Sequence, residues 1–315
     1  MTSLNLSDVF SYQLIHAMFR SSAPVVLAVI AAIISKHANV FNLAIEGIML
    51  FAALVSITVS AATGSWVLAL LAAIVVGVFI SFLIGIAHLK LSANILILGF
   101  SINAIAIGGT RLMMQLIFGS VGSYAPAEMT PFPRFVIKAF ADKPVLNSLF
   151  SGYSLLEILS FIMIFALWFV LYKTRTGLRL RSVGLNEIAA QTAGINTYQT
   201  KLGAIVVSGI FAAMAGAHLS MGYTNMFAEG MTNGRGFMAN AAMNFGGGNP
   251  INALIGCLVF GLSDSLGARL QSYGLPNQFV LMLPYLMTVI ILTISMISQQ
   301  RSIRNEKFRE LRKYQ

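Results

Sequence analysis

The sequence predicts an all-α polytopic membrane bundle of about nine spans, with an inverted repeat and broken helices, on three observations. Hydrophobic residues make up 57% of the 315 and charged residues 10%, with a mean hydropathy of +0.81, which leaves too little polar surface to solvate a globule of this size. Apolar runs long enough to cross a bilayer recur along the whole chain. The positive charge is gathered in two stretches, Lys173 to Lys201 and Arg301 to Lys313, each netting four positive charges and together holding eight of the formal ten. Clusters of this kind beside apolar runs mark the cytoplasmic face.

A helix needs roughly 20 apolar residues to cross the hydrocarbon core. On that ruler the candidate spans are 10–35, 41–62, 66–88, 93–118, 154–172, 201–222, 227–247, 250–270 and 278–298. The two basic stretches must share one side, so an even number of crossings has to separate them. This retains the short, Gly-rich candidate 227–247, which hydropathy alone would discard. Counting back from Lys173 places Lys36 and Lys90 inside, and the loop from Gly119 to Ser154 and the N-terminus outside. Arg20, awkward within the first span, is expected to snorkel to the outer interface. The expected organisation is one membrane domain over 1–315, with a cytoplasmic loop at 173–200 and a basic cytoplasmic tail at 299–315.

Gly47 to Leu54 reads GIMLFAAL and Gly236 to Met243 reads GFMANAAM, identical at four of eight places. Downstream, Gly64, Ala69, Leu70, Val75, Gly77 and Ser81 match Gly248, Ala253, Leu254, Val259, Gly261 and Ser265 at a constant offset. The first copy leaves the cytoplasm and the second enters it, as in inverted repeats whose broken helices form a substrate path near the midplane. Recurrent Gly and Ala also serve ordinary helix packing.

Polar residues in spans are costly and need partners or a cavity. Around the first copy they are Asn42 and Glu46, and on the fourth span Asn94, Ser101, Asn103 and Arg111. Around the second copy they are Glu229, Asn233, Arg235, Asn240 and Asn244, with Asp264 on the following span. Asn240 and Asn244 are four apart and share a helix face. Asn103, Asn240 and Asn244 suit a path for a neutral polar solute, because amides donate and accept, and they equally suit interhelical hydrogen bonds. Phe237 joins this pathway set. For Glu46, tying broken-helix backbone or a neighbouring helix takes precedence over touching solute. Asp264 and Arg111 are candidates for a structural charge pair.

Familiar catalytic chemistry is missing from the sequence. There is no GxxxxGK followed by Ser or Thr to cradle a nucleotide. His16, His37, His88 and His218 have no metal-ligand spacing, and no nucleophile or acid–base pair stands out, so neither metal, cofactor nor catalytic residue is expected. Gly246 to Gly248 before Asn249-Pro250 read as a turn between spans. Cys257 has no partner for an internal disulfide. No Lys or Arg precedes Arg20, which argues against a cleaved signal peptide. The basic segments flank spans and lack interleaved aromatics, which excludes nucleic acid as a partner.

In the cytoplasmic loop, GLNEIAAQTAG from Gly184 to Gly194 places Ala189, Ala190 and Ala193 at three- and four-residue spacing, with Asn186 as N-cap, Glu187 in the first turn and Gly194 as stop. This predicts a short helix whose small-residue face enters a groove on another protein. Arg175, Arg179 and Arg181 would fix it to acidic lipid or to the partner's rim.

The stretch TGLRLRSVGLNEIAAQTAGI resembles the coupling-helix region of permease subunits in ATP-binding-cassette (ABC) importers, of the branch serving branched-chain amino acids, simple sugars and nucleosides. FNLAIEGIML from Phe41 resembles that branch's early broken-helix motif, and GRGFMANAAMNFGGGNPINALIGCLVFG from Gly234 its late one. IEG at Ile45 to Gly47 and GRGF at Gly234 to Phe237 look most like nucleoside-type permeases. FGGGNP departs from relatives that carry a bulky residue such as Trp before Asn-Pro. The resemblance implies a multi-pass protein of the bacterial cell membrane that pairs with a related or identical permease subunit, with ABC ATPase subunits, and with an extracytoplasmic solute-binding lipoprotein. Sugar or branched-chain amino-acid transport stays open within it. An ion-coupled secondary transporter titrating Glu46, Glu229 or Asp264 is the rival, and it has no need of a docking helix.

Overall fold

Several helices stop where the sequence supplies a cap. Ser154, Asn186 and Asn196 each accept a backbone N–H at a helix start, and Asn94 does so for the fourth long helix. Gly64 and Gly119 end helices in left-handed backbone. The computed structural model describes residues 12–119, 122–135 and 151–272, with isolated helical positions between 282 and 293. The expected ninth span and the basic tail fall outside the described residues apart from those isolated positions, as does the 136–150 part of the outer loop with Lys138, Asp142 and Lys143.

Four long helices come first: α1 (Tyr12–His37), α2 (Ile45–Thr63), α3 (Trp66–Leu89) and α4 (Ile95–Phe118). After β1 (Ser123–Tyr124), β2 (Arg134–Phe135) and β3 (Tyr153–Ser154) come α5 (Leu155–Lys173), the short α6 (Arg175–Leu185) and α7 (Glu187–Thr192), and α8 (Thr197–His218). A π-helical turn, Leu219–Thr224, extends α8. Then follow β4 (Phe227–Ala228), α9 (Arg235–Phe245) and α10 (Pro250–Ser272). Among the described residues seven helices are long and apolar enough to cross a membrane: α1 to α5, α8 with its π-helical turn, and α10. Large apolar side chains such as Phe79, Phe100 and Leu116 stand exposed on α3 and α4, as lipid-facing helices require.

The candidate span 227–247 is only partly helical. Its helix, α9, has 11 residues and a length of about 16 Å, half of what the hydrocarbon core needs. The chain before it descends as β4 and turns beside α2, where Phe227 and Met231 pack with Leu50, Leu54 and Ile57. Non-helical backbone at this depth is sheltered by protein rather than lipid.

The ends of the bundle are defined by contacts. At one end β1 pairs with β4 and β2 with β3, and Thr130 of the same loop donates to the carbonyl of Gly64 at the end of α2. At the other end His37 closes α1, touches Gly248 after α9, and abuts Gly184 of α6. The basic α6–α7 segment lies at this second end, the one that the charge rule expects in the cytoplasm. Thus α2 and α9 end at opposite ends of the bundle, and the two repeat copies run in opposite directions.

Packing follows the same two-fold logic. The most extensive interfaces are α3 on α8 and α10 on α1, with α1 against α8 between them. Each uses the repeat's glycine: a Cβ on Gly77 would lie 2.5 Å from the carbonyl of Gly209 on α8, and one on Gly261 would lie 2.6 Å from the carbonyl of Met18 on α1. Small residues let backbones approach where no hydrophobic force separates helix from lipid. At the α3–α8 crossing a Cβ on Gly209 would sit 1.9 Å from Ser81 Oγ and 2.5 Å from the Gly77 carbonyl. Gly209→Val should therefore destabilise the detergent-solubilised chain by about 3 kcal/mol, the upper end of overpacking costs, read as a lowered Tm in a thermal melt. A melt like the wild type's would remove this crossing from the fold's foundations.

Candidate functional site: a junction of two broken helices

Ile45 and Arg235 start α2 and α9, and both starts lie inside the bundle rather than at its faces. Gly236 approaches so closely that a Cβ there would be 2.6 Å from the backbone nitrogen of Glu46. Two helix N-termini, each the positive end of a dipole, thus meet in a low-dielectric setting and need a negative or accepting group between them. Glu46 supplies it: its Oε1 accepts from the Gly234 N–H at 2.8 Å and its Oε2 from the Gly236 N–H at 2.6 Å. Asn233 and Gly234 both carry positive φ, 44° and 76°, which turns the chain so that these donors face the carboxylate. Gly234 needs no side chain to be sacrificed for that conformation.

The N-terminus of α2 is held by an amide. Asn103 on α4 accepts from the Gly47 N–H at 2.8 Å and donates to the Leu43 carbonyl at 2.9 Å, while Asn42 accepts from the Ala44 N–H and donates to Ser208 on α8. Both repeat glycines, Gly47 and Gly236, therefore sit where a helix start presses against a polar side chain. Asn94 caps α4, apart from the junction.

Along α9, Asn240 is buried and donates to the Gly236 carbonyl, and its Oδ1 has no hydrogen-bond partner among the described residues. Phe237 is 42% exposed, Asn244 is exposed two turns further along the same helix, and Asn233 is exposed ahead of it. Asn244 approaches the Lys36 ammonium at 3.4 Å near the cytoplasmic end. The structure thus sets Glu46 against Gly236, one residue from Phe237 and one hydrogen bond from Asn240, with Asn103 at the start of α2 and Asn244 beside Lys36 at the far end of α9. The charge pairs differ from expectation: Asp264 meets Arg235 at 2.9 Å and Arg111 meets Glu229 at 3.6 Å, so Arg111 and Asp264 do not pair with each other.

One buried cluster escaped the sequence reading. Glu157, in the first turn of α5, closes a capping box with Ser154 and faces Arg20 at 3.4 Å and the fully buried ring of His218 at 3.4 Å. Arg20 is therefore paired inward and its guanidinium lies over the ring of Tyr223, instead of snorkelling alone. The Ser-x-x-Glu spacing at 154–157 was a visible signal for the cap, though not for its partners.

At the cytoplasmic end α7 forms over Glu187–Thr192 with Asn186 as its cap, and Gly194 follows with φ of +81°. The expected alanine face is corrected. Ala190 is buried against its own protein, and Gly184 abuts the His37 carbonyl, where a Cβ would overlap at 2.1 Å. The surface turned outward comprises Leu185, 88% exposed, Ile188, 75% exposed, with Ala189, Ala193 and Gly194. Glu187 turns to Lys201 of α8, whose ammonium holds its carboxyl below the usual range. Arg181 lies over Tyr172, 5.0 Å from the ring centroid, while Arg175 and Arg179 are exposed.

A bundle of spanning helices built as an inverted repeat, with two broken helices meeting at its centre, is the architecture of a solute permease. The family model described as the branched-chain amino acid transport system permease component matches residues 14–292, and the chain belongs to that family, as a multi-pass protein of the cell membrane. It is 34% identical over 284 residues to the guanosine ABC transporter permease protein NupQ of Bacillus subtilis, covering 86% of this chain and 88% of that one. It is 31% identical over 302 residues to the nucleoside ABC transporter permease protein NupC of Lactococcus lactis, covering 92% and 94%. A putative glucose ABC transporter permease of Haloferax volcanii is 29% identical over 312 residues, covering 91% and 93%. No solved structure matches the chain at a significant level.

Asn103→Ala would strand the Gly47 N–H and the Leu43 carbonyl in a buried setting, at about 1–3 kcal/mol for each. A loss of about 2–6 kcal/mol in denaturation of the solubilised protein is expected on that basis. Unchanged stability would detach Asn103 from the junction.

Proposed function

We propose that this chain is the membrane-spanning permease subunit of an ATP-driven ABC importer that carries nucleosides. It crosses the membrane nine times, with 227–247 crossing as an irregular outer half and a helical inner half. It works with a second permease chain, an ABC ATPase and an extracytoplasmic solute-binding lipoprotein, with lipid around α3 and α4. The observation that carries this reading is α7: a capped two-turn helix on the cytoplasmic side, turning Leu185, Ile188, Ala189 and Ala193 outward. A secondary carrier has no use for a protruding apolar ledge joined rigidly to its bundle, whereas a permease driven by a soluble motor needs one.

Force applied at α7 reaches α6 and, through Gly184, the end of α1. From His37 it passes to Gly248 and the inner end of α9, whose outer end is held by Glu46. Movement of α9 against α2 would open the path on one side and close it on the other. Phe237 offers a face for stacking on a planar base, and the buried Asn240 Oδ1 is an unsatisfied acceptor that movement of α9 would uncover. Two relatives named for guanosine and nucleoside transport support the nucleoside reading, and the relative named for glucose supports sugar as the second.

Ala189→Trp, at an exposed position, should leave the chain folded and inserted but abolish co-purification of the ATPase and reduce nucleoside uptake at least about tenfold. Normal ATPase binding and uptake in this variant would remove the docking role.

A further inference from the structure

Resting on the permease reading above, we infer that Glu46 is a charge filter that restricts the path to neutral cargo. Broken-helix N-termini near a bilayer midplane are ready sites for anionic groups, because free N–H donors and the dipole both favour negative charge. In this chain that place is already filled. Glu46 occupies the two donors at the start of α9, Gly234 N–H and Gly236 N–H, with its own carboxylate, and Asn103 occupies the Gly47 donor at the start of α2 with a neutral amide. The nearby charges are internally matched too: Arg235 by Asp264 and Arg111 by Glu229.

An incoming carboxylate or phosphate finds the Gly234, Gly236 and Gly47 donors already engaged and meets a half-buried carboxylate at close range. At 6 to 8 Å, two negative charges repel by about 2 kcal/mol or more at an effective dielectric of 20. A nucleoside or sugar, carrying hydroxyls and amides but no net charge, escapes that repulsion and can stack on the exposed Phe237. The same repulsion acts against cargo led by a carboxylate, such as a free amino acid, and against a nucleotide. Glu46 is thus a specificity-determining residue in addition to a structural one.

Reagent rates at a single thiol separate these two roles, and they bypass any binding protein that screens cargo earlier. Cys257 is buried, so Phe237→Cys in a Cys257→Ser chain gives one reporter beside Glu46. In native membranes it is reacted with anionic sulfonatoethyl and cationic trimethylammonioethyl methanethiosulfonate. With Glu46 present the cationic reagent should react faster, and Glu46→Gln, which keeps an acceptor of the same shape, should raise the anionic-to-cationic rate ratio on the order of tenfold. Glu46→Asp should leave the ratio near its original value. A ratio unmoved by Glu46→Gln, or both rates changing together, would overturn the filter and leave only a structural tie. Absence of reaction with both reagents would remove Phe237 from an aqueous path and overturn the filter as well. Because the assay needs no ATPase, failure of motor docking would overturn the importer reading while leaving this ratio intact.

Discussion

Two hydrogen bonds from Gly234 and Gly236 to one carboxylate hold the middle of this protein together. Without Glu46, two positive helix ends would face each other across a glycine contact, with unpaired N–H groups in a low-dielectric interior. With it, the charge has donors and the donors have an acceptor, so the several kcal/mol cost of placing a carboxylate in the membrane is offset where it is incurred. The close contact at Gly236, the left-handed turn at Asn233 and Gly234, and the halving of the 227–247 segment all follow from bringing those donors to that carboxylate.

Around this junction the fold is two interlocked copies of one plan. α3 packs on α8 and α10 on α1, so the third long element of each copy grips the first of the other. The long α1 and α8 cross at the centre and carry little except small and aliphatic residues there, which leaves the polar work to the helix starts. A device of this kind has a soft place and a stiff place. The stiff places are the glycine crossings, where a single methyl group would meet backbone. The soft place is the junction, where two charge-assisted hydrogen bonds and no large apolar interface connect α9 to α2.

Much of this was legible in the sequence because hydropathy and charge act over whole segments. The seven long helices lie within a few residues of the expected spans, and the Asn186 and Gly194 caps stand where their residue types require. The repeat was visible at Gly47 and Gly236, and its opposed directions follow from the charge rule. What failed to show were partners distant in sequence. Glu46 and Gly234 are 188 residues apart, and nothing local in IEG or GRG says that one caps the other. Arg111 and Asp264 each had an obvious opposite charge to choose from and chose differently. The alanine spacing in α7 gave a face but not its direction, and burial turned Ala190 inward while Leu185 and Ile188 took the outside. The Glu157, His218 and Arg20 cluster joins three helices and left no trace beyond a capping box.

Amide hydrogen exchange at Gly234 and Gly236 tests the central interaction most directly. Slow exchange is expected at both amides in the resting chain, quickening when ATP binds to the assembled importer proposed above. Exchange in the resting chain as fast as in an open loop would show that Glu46 does not hold the start of α9.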